Sequence, residues 1–298
     1  DHLIPLEAVF MMVTAESFYE KVVATAELAP DDYLIKPFSA ELLRSRLESI
    51  LLRKRAFGEA YRHFANQDLE AAIAACDALG KAHPKYVVDA LRFKGELLVT
   101  LGRFEEAEAL YKQVIEMRAI PWARLGLARA LHMQQKDDAA EEELRDVLER
   151  APEMVSAYDL LSDVCVAKKD TAGAQEALER GIAISSRTVR RQQKLGELAY
   201  ANGDLDTARE AYAAAIDKGR HSIFVTPDDY GNLCRVQAEQ GDFKAVADTL
   251  KQNRNILQST AEGRLVAAVT QSVMHTQAGR RNEAARAIDE AAALRAEG

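Results

Sequence analysis

Glycine and proline are scarce in this chain of 298 residues: 15 glycines and 7 prolines make up about 7% of it, against roughly 12% in an average protein. Alanine, in contrast, occurs 52 times. Few helix-breaking residues and an abundance of alanine, which has the highest helix propensity, argue against an all-β fold. The sequence therefore predicts a mainly all-α protein.

Cysteine is also sparse, and its spacing excludes the usual cysteine-based sites. Cys76, Cys165 and Cys234 lie far apart and form no Cys-x-x-Cys or Cys/His pattern. A disulfide framework and a zinc site are therefore not expected. The histidines are scattered and predict no metal site either. We expect the three thiols to be reduced residues of the core.

A basic surplus and long apolar runs are both missing. The chain has 39 lysines and arginines against 47 acidic residues, a net charge of −8, which disfavours a general nucleic-acid binder. No apolar run approaches the length of a membrane span, and no secretory signal pattern is visible. We expect a cytoplasmic protein. The motifs of P-loop nucleoside triphosphatases, zinc proteases and serine hydrolases are absent, so no enzymatic activity and no cofactor are expected.

What the sequence does contain is an internal repeat with a period of 33 to 38 residues. Each unit has an anchor, a small residue twelve positions before it and a larger apolar residue four positions after it. The last two periods are longer, and we expect their extra residues in connecting loops. The anchors are Ala72, Ala107, Ala140, Ala174, Ala208, Val246 and Ala284; the small residues are Ala60, Gly95, Ala128, Ser162, Gly196, Cys234 and Ser272; the larger ones are Cys76, Tyr111, Leu144, Leu178, Tyr212, Leu250 and Ile288.

This pattern predicts two amphipathic helices per unit, joined by a short turn such as Asn202-Gly203-Asp204. One helix pair cannot bury its apolar face alone, so neighbouring units must stack. The pattern resembles the tetratricopeptide-repeat family over residues 53–298, in six or seven units. That resemblance implies a right-handed superhelix of helix hairpins that binds a protein or peptide partner in its groove.

In repeats of this family, the first helices line the groove. We expect the positions 18, 15, 11 and 8 residues before each anchor, called the groove positions below, to point into it. The basic stretch around Arg190 and Lys194 has two open interpretations, a solvated face or a contact with a partner's carboxylate. Trp122 is either a groove anchor or part of the core. The candidate partner-binding residues are Asp89, Arg92, Glu96, Trp122, Arg129, His132, Arg190, Gln193, Lys194 and Tyr200.

The first fifty residues show a different pattern. The apolar run at residues 8–13 predicts a buried strand, followed by a helix near residues 17–29. Residues 32–35 predict a second short strand, and Ser39 is placed to cap the helix that comes after it.

This segment resembles the C-terminal half of a response-regulator receiver domain, an α/β fold of the flavodoxin-like type. The residues that carry the resemblance are Val13-Thr14-Ala15, Asp31-Asp32-Tyr33 and Lys36-Pro37-Phe38. It implies that Thr14 hydrogen-bonds an aspartyl phosphate, that Lys36 pairs with this phosphate and that Tyr33 changes its rotamer. It also implies a cis peptide before Pro37 and, for an intact receiver, Mg²⁺ and a histidine kinase as partner.

The chain has no matching position for the phosphoacceptor aspartate or for the acidic pair that binds Mg²⁺. We therefore expect that the chain as given is not a working phosphoryl switch, whether it is a fragment of a longer regulator or a degenerate receiver. The expected domains are residues 1–52 and 53–298. The leading hypothesis is a bacterial two-component response regulator in a phosphorelay, whose repeat array is a protein-interaction scaffold. The alternative is a structural assembly scaffold in which a vestigial receiver fragment caps the array or joins two copies into a homo-oligomer.

Overall fold

The computed structural model of the chain describes residues 5–15, 30–118, 120–186, 188–220 and 222–297. These residues belong to two compact units, residues 1–169 and residues 170–298. The helix expected near residues 17–29 lies outside the described residues.

The N-terminal segment contains two short strands that pair in parallel. Strand β1 (Met11–Thr14) runs beside strand β2 (Asp32–Ile35), with Met11 opposite Asp32 and Thr14 opposite Ile35. The Lys36–Pro37 peptide is cis, as the resemblance implies. The two expected strands are therefore present, but β1 is not buried as expected, since Val13 is 43% exposed. The strands do not by themselves establish a receiver domain.

Helix α1 (Ala40–Ala65) connects this segment to the repeats. The Ser39 side chain accepts a hydrogen bond from the backbone N–H of Leu42 at 3.1 Å, so the expected cap is confirmed. The helix is continuous across the domain boundary expected between residues 52 and 53. No proline interrupts the sequence of α1, and its buried residues Ile50, Phe57 and Ala60 recur at helical spacing.

Together with the C-terminal part of α1, the remaining helices continue the alternation of first and second helices that the repeat pattern predicts. In the first unit they are α2 (Leu69–Ala82), α3 (Val87–Thr100), α4 (Phe104–Met117), α5 (Pro121–Met133), α6 (Asp137–Arg150) and α7 (Val155–Ala167), and each packs against the next. In the second unit they are α8 (Thr171–Ile184), α9 (Val189–Ala201), α10 (Leu205–Lys218), α11 (Pro227–Glu239), α12 (Phe243–Gln252), α13 (Arg254–Ser259), α14 (Ala261–Gln277) and α15 (Arg281–Glu297).

The repeat register accounts for the core. All seven anchors are buried, and so are the small residues of the first six units, while Ser272 is half-buried. The residue five positions before each anchor has a positive φ and forms the turn between the two helices; these residues are Gln67, Gly102, Gln135, Lys169, Gly203, Gly241 and Gly279. The side chains of Asp68, Asp170, Asp204 and Asp242, four positions before their anchors, cap the second helices of their units. The three cysteines are buried, as expected.

Two expectations about the last repeats need correction. The extra residues of the sixth unit do lie in a connection, between Lys218 and Pro227, but those of the seventh unit form the short helix α13 instead of a loop. Ile288 does not fill a space between units: its side chain is 53% exposed. It lies on α15, the last helix of the described residues.

Candidate functional site

The groove positions of the first repeat carry a cluster of aromatic side chains. Counting back from Ala72 gives Lys54, Phe57, Tyr61 and Phe64. The ring centroids of Phe57 and Tyr61 lie 5.4 Å apart, and Phe93 of the second repeat meets Tyr61 at 5.5 Å and Phe64 at 5.8 Å. The register that gives the other groove candidates therefore also gives Phe57, Tyr61 and Phe64, whereas Phe93 lies outside the groove positions.

A cavity of about 790 Å³ opens at this cluster. Three of the predicted groove residues, Asp89, Arg92 and Glu96, lie in its wall, and residues of the N-terminal segment close it from another side. The cavity has an aromatic floor and a charged rim, the combination that suits a site for a side chain of another molecule. Its lining includes Leu6, Asp31, Asp32, Tyr33, Arg53, Lys54, Phe57, Tyr61, Phe64, Asp89, Arg92, Phe93 and Glu96.

An ion-pair cluster holds the N-terminal segment against α1 at the edge of this cavity. Asp31 pairs with Lys54 at 2.9 Å and with Arg53 at 3.1 Å, and a second oxygen of Asp31 accepts the backbone N–H of Phe10 at 2.9 Å. The Lys54 ammonium also donates to the Leu6 carbonyl at 2.7 Å. Since the Lys54 and Asp31 side chains are each only 12% exposed, these contacts are shielded from water and fix the segment's position.

The candidates of the second and third repeats interact with one another. Arg92 pairs with Glu96 at 3.3 Å, and its guanidinium lies 5.6 Å from the centre of the Trp122 ring. Trp122 also meets the buried ring of Tyr111 edge-on at 6.5 Å, so this half-buried side chain contacts both the core and the exposed Arg92. Arg129 is exposed on α5.

His132 is bound at the turn between α5 and α6. Its Nδ1 lies 2.6 Å from Oδ1 of Asp137, at the start of α6. This candidate therefore joins the two helices of its own repeat.

In the second unit, the predicted groove residues of the fifth repeat contact the sixth repeat and the connection before it. The exposed guanidinium of Arg190 lies 4.6 Å from the centre of the Phe224 ring. The Gln193 amide donates to the Phe224 carbonyl and to the carboxylate of Asp229, each at 2.9 Å. The Lys194 side chain is half-buried on the same helix, α9.

Tyr200 also contacts the sixth repeat. Its hydroxyl donates a hydrogen bond to Oε1 of Glu239, which raises the pKa of Tyr200, and the Arg235 guanidinium lies 4.2 Å from the centre of its ring. Of the four candidates in the fifth repeat, Gln193 and Tyr200 thus bind neighbouring side chains, whereas Arg190 presents its charge at the surface.

A second cavity of about 470 Å³ lies between groove positions of the sixth and seventh repeats. It is mainly apolar: Val266, Val269 and Val273 of α14 face Ala238 and Gly231 of α11. Val269 and Val273 are 46% and 41% exposed. Counting back from Val246 and Ala284 gives these positions, so the sequence also predicts that they lie at the groove.

Of the three residues carried over from the receiver resemblance, Thr14 and Lys36 lie together at one end of the two strands. Thr14 ends β1, and its carbonyl accepts the backbone N–H of Lys36 at 2.7 Å. Tyr33 lies in β2 and in the wall of the aromatic cavity. The ends of adjacent parallel strands thus bring Thr14 and Lys36 together, while Tyr33 is placed beside the groove positions of the repeats.

The residues that the structure describes offer neither a metal-binding cluster nor a membrane-spanning helix. They contain no cluster of three or more histidine, cysteine or acidic side chains that could hold a metal ion. None of their helices combines the length and apolarity that crossing a bilayer requires.

Comparison with known proteins agrees with this architecture. The tetratricopeptide-repeat family model matches residues 57–121 and 94–155. Tetratricopeptide repeat protein 36 of Bos taurus is 33% identical over 153 residues, an alignment that covers 46% of this chain and 79% of that protein. The chain is a member of the tetratricopeptide-repeat family. ETO1-like protein 2 of Arabidopsis thaliana is 34% identical over 80 residues, 27% of this chain, and the chain spans only 8% of that protein's length.

Solved structures of tetratricopeptide-repeat proteins share the fold. The C-terminal part of a repeat protein from Cytophaga hutchinsonii matches 80% of this chain and 95% of its own, with a TM-score of 0.61 at 14% identity. PilF of Pseudomonas aeruginosa matches 71% of this chain and 95% of its own, with a TM-score of 0.54 at 15% identity. At these identities the similarity concerns the arrangement of helices. The groove residues of this tetratricopeptide-repeat protein must be judged from its own side chains.

Proposed function

We propose that this tetratricopeptide-repeat protein is a non-enzymatic interaction scaffold that binds a segment of a partner protein at its groove positions. The observation that carries the proposal is the aromatic cavity of the first two repeats. Partly exposed rings of Tyr61, Phe64 and Phe93 line it on helices whose other faces are packed in the core. Rigid aromatic side chains in a preformed pocket are the features that anchor protein partners.

In the second unit, the basic helix α9 offers a separate contact surface for a partner protein. Arg190 is exposed at a groove position, and Lys194 lies one helical turn later. Residues four apart lie on the same side of a helix, so the two cations can meet a carboxylate-bearing stretch of the partner. We therefore propose a contact with a partner, and not only a solvated face, for this helix.

We further propose that the array is the output module of a response regulator. Two features support this: Thr14 and Lys36 lie together at the ends of parallel strands, where α/β folds bind ligands, and Tyr33 lies in the cavity wall. A change in the Tyr33 side chain would alter the cavity directly, and so a partner's access to it. The coding sequence upstream of Asp1 tests this: an acidic pair and an aspartate after a third strand support it, and their absence favours the assembly scaffold.

Site-specific cross-linking tests the partner site. The immobilised chain is used to capture partners from an extract of the organism that encodes it, with a photoreactive amino acid at Glu96 or at Glu105. Both glutamates are exposed in the second repeat, but only Glu96 lines the cavity. We expect the captured partner to cross-link through position 96 and not through position 105. Cross-linking through position 105 alone would refute the proposed site.

A further inference from the structure

The charges around the aromatic cavity are unequally compensated. Asp31 is paired with both Arg53 and Lys54, and Glu96 is paired with Arg92. The side chain of Asp89, by contrast, makes no ion pair or hydrogen bond within the part of the chain that the structure describes. Asp89 is exposed on the first turn of α3 and lines the cavity. The cavity therefore presents one available carboxylate beside cations that are already engaged.

The Asp89 carboxylate lies near an aromatic surface. Burial raises the pKa of the Tyr61 hydroxyl to about 12, and the negative charge of Asp89 contributes to that rise. Phe93 lies four residues after Asp89, one turn along α3, and its ring meets that of Tyr61. A carboxylate and two ring systems thus border the same space.

Cations already use aromatic faces in this region. The Lys54 ammonium lies 5.9 Å from the centre of the Tyr61 ring, and the Arg92 guanidinium lies 5.6 Å from that of Trp122. Cations within roughly 6 Å of a ring centre are attracted by the negative face of the ring. The long side chains of lysine and arginine also place apolar stems on apolar surfaces while their charged ends stay in contact with water or a counter-ion.

We propose that this cavity binds a lysine or arginine side chain of the partner segment, with its charged end at Asp89 and its stem across the rings of Tyr61 and Phe93. This inference rests on the proposed function and specifies the chemistry of the partner. An acidic side chain would meet the uncompensated Asp89 and rings whose faces repel anions. The cations of the rim offer it little, because Asp31 and Glu96 already pair with them.

A positional-scanning library of seven-residue peptides tests the inference on the full chain without knowledge of the partner. We expect the wild-type chain to select lysine or arginine at one position. The selected peptide is then synthesised with lysine, norleucine or glutamate at that position, and binding is followed by the fluorescence of Trp122, the single tryptophan. Replacing lysine by uncharged norleucine should weaken binding about fivefold, the size expected for a partly exposed ion pair with a cation–π contact.

Three variants assign the effect to residues. D89N should reduce the preference for lysine over norleucine, because it removes the ion pair and leaves the cation–π contact. Phe93→Leu should weaken binding of the lysine peptide. E105Q removes the same charge from an exposed position outside the cavity and should change neither. Circular dichroism shows whether each variant is folded.

Three results would overturn the inference: selection without a basic residue, no selection at all, or a D89N variant that keeps the full preference for lysine. Selection of a peptide without a basic residue, or a D89N variant that keeps the full preference, is distinct from failure of the proposed function, because a peptide still binds in both cases. If the selected peptide carries an acidic or neutral residue at this position and the Phe93→Leu variant no longer binds it, the proposal of a basic ligand is refuted. The cavity then remains the partner site.

Discussion

The ring of Tyr111 lies directly against Gly95: a Cβ atom added to Gly95 would stand 2.6 Å from Cζ of Tyr111. Gly126 of the next repeat approaches the same ring, with a Cβ-to-Cζ distance of 2.4 Å. A Cβ atom added to Gly196 would likewise stand 2.8 Å from Cε1 of Tyr212. In the second and fifth repeats, the small residue and the larger residue of the repeat pattern therefore pack as a pair, in which the missing side chain of glycine makes room for a tyrosine ring.

This contact predicts that Gly95→Ala destabilises the chain by about 1–3 kcal/mol, because the added methyl group overpacks a ring that is only 3% exposed. Gly58 is the matched control, since it also lies inside a helix but has nothing within 4 Å of an added Cβ. Gly58→Ala should stabilise the chain by roughly 0.5–1 kcal/mol through helix propensity. Urea unfolding followed by circular dichroism measures both changes. Equal effects of the two substitutions would contradict the packing account.

Ionised Glu108 stabilises the first unit, so the free energy of unfolding should fall at low pH. Hydrogen bonds from Lys112, Lys136 and Gln134 lower the pKa of Glu108 from 4.5 to about 2. A carboxylate with a lowered pKa stabilises the fold fully above its unfolded pKa, and this contribution is lost as the pH falls from 4.5 towards 2. The loss should amount to about 1–2 kcal/mol, reduced from the full shift because the side chain is partly exposed.

Glu108→Gln should therefore flatten the fall in stability between pH 5 and pH 2.5, measured by urea unfolding at a series of pH values. Glu105→Gln, which removes an exposed carboxylate without a partner among the described residues, serves as control. A fall of the same size in both variants would show that Glu108 is not its source.

Asp31 should decide whether the N-terminal segment stays on α1. Asp31→Ala removes the partner of Arg53 and Lys54 and the acceptor for the Phe10 N–H. Because Lys54 is mostly shielded from water, we expect a loss of about 1–3 kcal/mol and faster proteolysis within residues 5–38. Arg46→Ala breaks only the exposed pair with Asp32 and should cost about 0.5 kcal/mol or less. Limited proteolysis with unchanged cleavage in Asp31→Ala would exclude Asp31 as the residue that holds the segment.

Arg190 and Lys194 together should matter for partner binding more than for folding. Arg190→Ala with Lys194→Ala is expected to weaken binding of the captured partner and to flatten its dependence on salt, since two cations are lost from α9. The loss of the Arg190 contact with Phe224 should cost about 1 kcal/mol or less in stability. Lys244→Ala with Lys251→Ala removes the same charge from exposed positions on α12. If both double variants bind the partner with the same affinity at low ionic strength, the basic face of α9 faces solvent and does not contact the partner.

The repeat register was predictable because each period repeats the same three packing requirements. An anchor such as Ala72, a small residue such as Ala60 and a turn five positions before the anchor are fixed by local spacing, and the structure confirms them. The extra residues of the last repeat were not placed correctly, since their length alone cannot distinguish a loop from the short helix α13. The exposure of Ile288 depends on whether another helix packs on α15, and the spacing of the repeats carries no information about that.

The candidate site was predictable only in part. The register gives Lys54, Phe57, Tyr61 and Phe64 as groove positions. It does not reveal that Phe93 closes the aromatic cluster or that Asp31 and Tyr33 form another wall of the cavity. These contacts depend on how the N-terminal segment packs on α1, a long-range arrangement without a repeating pattern. The expected boundary after residue 52 rests on the receiver resemblance and not on a helix-breaking residue. It therefore does not predict that α1 continues through this position.

The central claim is that the aromatic cavity of the first two repeats binds the partner, and the partner's dissociation constant for two phenylalanine variants tests it most directly. Phe93 and Phe104 are both half-buried in the second repeat, but only Phe93 lines the cavity. Phe93→Ala should weaken binding at least about tenfold, roughly 1.4 kcal/mol, while Phe104→Ala leaves it unchanged, with circular dichroism confirming that both variants are folded. Equal dissociation constants for Phe93→Ala and the wild type would contradict the account.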